Sequence, residues 1–277
     1  ATLIYTAQSI LLVPMYLDHL GSQLYGLWLA SGGVLVWLAM MDFGISALTT
    51  QRCGAAFGRG DVDVAVSYFW HGAVITLGLM LVLFSLGLLA SLWVPGWFRV
   101  DKEYVEPLRQ AFWIASLTTA VAVALEFLKG FAAAFQRVGP VVIAGIAGDL
   151  LAIAVTVGAL WIGWGLLALA VGGLVRFLVP VVVGVPHELA LCRATGQRPA
   201  WSSEVFGDYR RSAPSLLGAR STGQMALGLP AVLIGRFIGP EATVAYSVSI
   251  RSVQVAEMLF NLALVASSGA ISHTWPA

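Results

Sequence analysis

Apolar runs long enough to cross a bilayer recur along the whole chain, and no other feature restricts its fold as tightly. A helix rises about 1.5 Å per residue, so about 20 apolar residues span the hydrocarbon core. About eight such runs are present, near 1 to 17, 24 to 49, 65 to 93, 111 to 130, 140 to 161, 165 to 190, 213 to 235 and 244 to 270. Lipid offers the backbone no water, so each run must satisfy its own N–H and C=O groups as a helix. The expected fold is therefore all-α and integral to the membrane, a polytopic bundle of about eight transmembrane helices. Only 10% of the 277 residues are charged and 59% are apolar, too little polar surface for a water-soluble domain. The net charge of +1 supplies no basic field, so nucleic acid is not an expected partner.

The connections carry the orientation. Loops two, four and six hold Arg52, Arg59, Lys129, Arg137, Arg193, Arg198, Arg210 and Arg211, while loops three and seven hold Arg99, Lys102, Arg109 and Arg236. That bias predicts even loops inside, a cytoplasmic chain start, and Asp18-His19-Leu20-Gly21 facing out. Residues 1 to 17 read as a truncated first span rather than a cleaved leader. The polar stretch from Leu191 to Ser212, with Gly196, Pro199, Ser202 and Ser203, marks a boundary. The expected organisation is a six-helix bundle over 1–192, a cytoplasmic inter-bundle loop over 193–212, and the first two helices of an incomplete second bundle over 213–277. Residues 13–28 align without gaps to residues 231–246, each copy joining two spans by a glycine-containing turn. An even number of intervening spans makes the copies parallel, one of the repeat plans of secondary transporters. Gly54 and Gly58 have a spacing that lets helices approach closely. Cys53 and Cys192 sit at the ends of apolar segments and read as packing residues rather than a disulfide or metal pair.

Ionisable groups inside the spans are costly, at least ~2.5 kcal/mol each near the bilayer centre, so each asks for a partner or a wet cavity. Asp42, Glu126, Asp149, Arg176, Arg220, Arg251 and Glu257 are such groups. At about 100° per residue, Ser247, Arg251, Gln254, Glu257, Asn261 and Ser268 form a polar stripe on the eighth span. Ser31, Asp42, Ser46 and Thr49 cluster on the second, and Ser116, Thr119 and Glu126 share a face of the fourth. Three wet faces predict one hydrated cavity between bundles. Asp149 and Arg176 can equally pair to join two helices. Arg176, Arg220 and Arg251, with Gln254 and Asn261, are the candidate binding residues for an anionic headgroup or its glycan, because guanidinium forks match phosphate oxygens. Asp42, Glu126, Asp149 and Glu257 are the candidate carriers of a coupling H⁺ or Na⁺, with Asp42 foremost.

No Walker motif, nucleophile elbow, HExxH or Cys/His cluster occurs, and His19, His71, His187 and His273 lie on separate segments. An enzyme is not expected, nor any cofactor. An alternative is a polytopic lipid-sugar glycosyltransferase, with Asp18 as its acid or His187-Glu188 as a dyad. The short external loops speak against it.

The run Leu12-Val13-Pro14-Met15-Tyr16-Leu17, Leu20-Gly21, Leu24-Tyr25-Gly26-Leu27-Trp28, Met41-Asp42-Phe43-Gly44-Ile45 and Gly58-Arg59-Gly60-Asp61 resembles the polysaccharide biosynthesis (Wzx-type) flippases of the multidrug/oligosaccharidyl-lipid/polysaccharide exporter superfamily. Ile234-Gly235-Arg236-Phe237-Ile238-Gly239-Pro240-Glu241-Ala242 and Tyr246-Ser247-Val248 are similar to the segment that opens the other bundle. The resemblance implies a MATE-like, parallel-repeat exporter with two bundles around an alternately opening cavity. It implies transport of an undecaprenyl-pyrophosphate-linked oligosaccharide to the periplasmic leaflet, driven by an H⁺ or Na⁺ gradient, in the bacterial inner membrane beside polysaccharide polymerase machinery. Arg220 and Arg251 match the family's cationic cavity positions. A drug or cation antiporter of the same superfamily is the alternative.

Overall fold

A computed structural model describes residues 11–39, 44–196, 201–251 and 253, with the backbone alone for 194 and 213–227. Seven helices run α1 (Val13–Ala39), α2 (Ile45–Gly58), α3 (Val62–Trp97), α4 (Lys102–Ala134), α5 (Gly139–Trp161), α6 (Leu166–Ala194) and α7 (Ser203–Phe237). A further helix, α8, is described from 240 to 251. No strand occurs among the described residues. Within them, five helices are long and apolar enough to cross a membrane: α1, α3, α4, α5 and α6 as far as Arg193. The chain is a multi-pass integral membrane protein, as its apolar runs require.

Two differences from the expected elements have local causes. The second run does not form one continuous rod to residue 49, because α2 starts afresh after Gly44, whose φ of 69° no regular helix accommodates. The polar segment read as a loop to residue 212 is helical from Ser203. The Ser202 hydroxyl caps this helix by accepting from the Val205 amide at 3.4 Å.

The aligned repeat is visible in the backbone. Gly21 (φ 71°) breaks α1 and Gly239 (φ 132°) separates α7 from α8, and the gapless alignment places these two glycines opposite each other. Both copies therefore change direction at the residue type that tolerates positive φ. The copies also meet, since Ser22 Oγ donates to Glu241 Oε1 at 3.1 Å.

Close helix approach occurs at Gly33 rather than at the expected pair: a Cβ there would lie 2.6 Å from Val232 Cγ2 and 2.7 Å from the Gly228 carbonyl oxygen. Gly58 has open space and Gly54 touches Ala134 only at 3.9 Å. Small residues thus bring α1 and α7 into direct contact near one end. Leu27, Ala30, Val94, Leu108, Phe112 and Val232 form the core at that end. Cys53 and Cys192, both buried and free, pack with Phe69, Phe127, Leu128 and Phe131 toward the other, in line with the packing reading.

Candidate functional site

A cavity of about 1010 Å³ opens among α1, α4, α5 and α6, with Arg251 of α8 at its edge. Its α4 wall is not the one the polar face of the fourth span predicts. Ser116 and Thr119 of α4 turn back on their own helix, donating to the carbonyls of Phe112 and Ala115 at 2.7 and 2.9 Å. A hydroxyl satisfied one turn earlier has no need of a wet cavity. The α4 wall is made instead by Leu125, Lys129 and Ala132.

Besides Lys129, three charged groups line the cavity. On α5, Asp149 is buried, and its Oδ1 lies 2.9 Å from Arg176 Nε of α6. The α5–α6 crossing brings them together: a Cβ on Gly148 would stand 2.8 Å from the Arg176 carbonyl oxygen, so the two backbones meet where the pair forms. The Arg176 guanidinium also lies 5.7 Å from the centroid of the Phe177 ring. Asp149 Oδ2 is buried without a hydrogen-bond partner among the described residues, so half of this carboxylate is unsatisfied. Arg251 Nη1 donates to the Tyr25 hydroxyl at 3.4 Å, and the Tyr25 ring lies 5.4 Å from that of Tyr16. With Trp28 and Phe177, these rings give the cavity aromatic walls beside its charges.

The sequence-derived candidates divide accordingly. Asp149, Arg176 and Arg251 line one cavity, and the Asp149–Arg176 pairing holds at the same time. Glu126 does not line it: it is exposed on α4 and accepts from Lys129 Nζ at 2.8 Å one turn on. A shared helix face says which residues look the same way, not whether that way is inward. Arg220 lies in α7, but its side chain, like Asp42, Gln254, Glu257 and Asn261, is outside the described residues. Sequence reasoning misses Lys129, Tyr16 and Tyr25 as cavity residues. Lys129 counts there only toward loop charge, although its long stem is a signal of reach into the cavity. The dyad candidate falls elsewhere. Glu188 does not line the cavity; it is wholly buried, and neither of its oxygens has a partner among the described residues.

A second polar cluster joins the start of α7 to α2 and α3. Arg52 grips Asp208 through two bonds, Nε to Oδ2 at 2.7 Å and Nη2 to Oδ1 at 2.9 Å. Tyr68 and Ser212 hydroxyls donate to the same carboxylate at 3.0 and 3.3 Å. Burial pushes the Asp208 carboxyl up, but the bonds from Arg52 and Tyr68 and the guanidinium charge outweigh it and hold the group below its ordinary value.

The MatE family matches residues 11–157. No curated protein matches the chain. Among solved structures, the inward-facing conformation of a multidrug resistance MATE family transporter of the MOP superfamily is similar, with a TM-score of 0.73 at 14% identity. The similarity covers 92% of this chain, which spans 58% of that transporter's length. The family match takes in more than half of the chain, and its helices adopt the MATE fold: the chain belongs to the MatE family.

Proposed function

We propose that this chain forms the substrate-bearing portion of an ion-coupled transporter for an undecaprenyl-pyrophosphate-linked oligosaccharide, carried from the cytoplasmic to the periplasmic leaflet of the bacterial inner membrane. The observation that carries the reading is the charge of the cavity. Arg176 and Arg251 line it against one acid, Asp149, and Lys129 of the α4 wall is paired with Glu126. A lining of that sign favours an anionic head over a cationic solute, and arginine stays protonated while it presents a fork to phosphate. Trp28, part-exposed in the wall, offers a face on which a sugar ring can stack. Residues 1–192 would act as one bundle, 193–212 as the link, and 213–277 as the opening of a second. Arg220, Gln254 and Asn261 would extend the headgroup site. In the same scheme Asp149, with its unpartnered oxygen, is the leading site for the coupling H⁺ or Na⁺, supported by Asp42 and Glu257. The basic loops would lie in the cytoplasm with the chain start, and the polymerase would receive the glycan.

A drug or cation antiporter is the second reading, favoured by the aromatic side chains around one carboxylate with an unpartnered oxygen. Competition in proteoliposomes holding the intact chain separates the two. Purified lipid-linked glycan should compete for transport and a cationic dye should not, and Arg251→Glu should abolish glycan movement. Dye transport that survives Arg251→Glu and ignores the glycan would replace the first reading by the second.

A further inference from the structure

The start of α7 is tied to the rest of the molecule by a knot of hydrogen bonds that lies outside the cavity. Its outer layer is the Arg52–Asp208 pair, with the carboxylate's four acceptor positions filled by two guanidinium nitrogens, Tyr68 and Ser212. Beneath it Tyr209 is buried, its hydroxyl donating to the Tyr68 carbonyl at 3.0 Å and lying 2.7 Å from Thr49 Oγ1. Gly72 leaves room for that hydroxyl: a Cβ there would stand 2.9 Å from it. At the head of the helix, the Ser202 amide donates to His71 Nε2 at 3.1 Å, and His71 Nδ1 faces the Ser67 carbonyl at 2.8 Å. These partners select the tautomer with its proton on Nδ1.

The far end of the same helix is held differently. There α7 meets α1 at Gly228, Val232 and Gly33 through small side chains and backbone, without an ion pair among the described residues. One end of α7 is thus a dry close contact, and the other is a set of polar bonds that water can replace, since Arg52 is half exposed. A polar contact at the wet edge of a bundle has two discrete states, made and solvated, whereas a packed glycine contact has one.

We propose that the Arg52–Asp208–Tyr209 knot is a releasable clasp: α7 pivots on its glycine contact with α1, and the clasp opens and closes at the arginine-rich end as the transporter changes state. This rests on the reading of the chain as an alternating-access transporter, but its test does not depend on the substrate. Spin labels at Asp61→Cys and Glu204→Cys, in the intact chain with Cys53 and Cys192 replaced by alanine, report the separation of the α2–α3 turn from the head of α7. Arg52→Asp should shift the ratio of short to long distances roughly tenfold toward long, equivalent to about 1.4 kcal/mol. The swap Arg52→Asp/Asp208→Arg should restore the short population. Tyr209→Phe keeps the ring and drops only the hydroxyl, so it should move the ratio the same way by less and guards against an Arg52 variant that fails to fold. Distances unchanged in both Arg52→Asp and Tyr209→Phe, or a swap that fails to restore them, would overturn the clasp and leave the cavity reading standing. Normal clasp behaviour with no glycan transport would do the reverse.

Discussion

Gly33→Ala tests the packing on which the α1–α7 contact depends, and Gly32→Ala, one residue earlier, is its internal control. At Gly32 an added Cβ meets nothing within 4 Å. In a helix interior, alanine is favoured over glycine by up to about 1 kcal/mol, so that control should be neutral or stabilising. At Gly33 the same methyl would lie 2.7 Å from the Gly228 carbonyl oxygen and 2.6 Å from Val232 Cγ2. An ordinary contact begins near ~3.4 Å, so α1 and α7 must separate by roughly 0.7 Å at this point. The carbonyl is backbone and has no rotamer to adopt. Overpacking of this kind costs about 1–3 kcal/mol, which offsets the propensity gain and leaves Gly33→Ala the less stable of the two by about that amount. Thermal unfolding of the intact chain in detergent should show Gly33→Ala melting below the parent and Gly32→Ala at or above it. Coincident melting of the two variants would refute the contact.

Asp149→Asn should destabilise the chain by about 3 kcal/mol, because it leaves the Arg176 guanidinium without its carboxylate in a largely buried place. A thermal melt checks this, and an unaltered melting temperature would remove Asp149 as a structural partner of Arg176. Glu188→Met should raise stability by about 1–3 kcal/mol, since it removes a wholly buried carboxyl with no hydrogen-bond partner among the described residues while keeping the volume of the side chain. A lower melting temperature would mean that Glu188 is satisfied by a partner beyond the described residues.

The helices were legible because hydrophobic length is a crude and robust signal: the runs near 65–93, 111–130, 140–161 and 165–190 lie within α3 to α6 to within one residue. The break at Gly44 was hidden because Met40 and Met41 keep that stretch apolar, and apolar content does not report a dihedral angle. The helical start of α7 was hidden for the opposite reason, as Glu204, Asp208, Arg210 and Arg211 read as loop. Val205 and Tyr209, four residues apart and both buried, were the available sign of an amphipathic turn. In the cavity, cost identified Asp149, Arg176 and Arg251, because a charge retained in an apolar helix needs a reason. Cost misplaced Glu126, which is exposed and whose partner Lys129 stands one turn away and removes the need for a cavity. Tyr16 and Tyr25 carry no such cost, so nothing in their spacing separated them from ordinary interfacial aromatics.

The distance along α7 between its dry contact and its polar one makes the helix a long arm. Gly228 follows Asp208 by twenty positions, a length of roughly 30 Å at the rise of an α-helix. On an arm of that length, a tilt of about 10° displaces the far end by roughly 5 Å. That is more than the 2.7 Å that now joins Arg52 to Asp208. A rotation too slight to disturb side-chain packing at the fulcrum is therefore large enough at the tip to pull the two charges fully apart, and a rigid rod converts a small angular event into an all-or-none one.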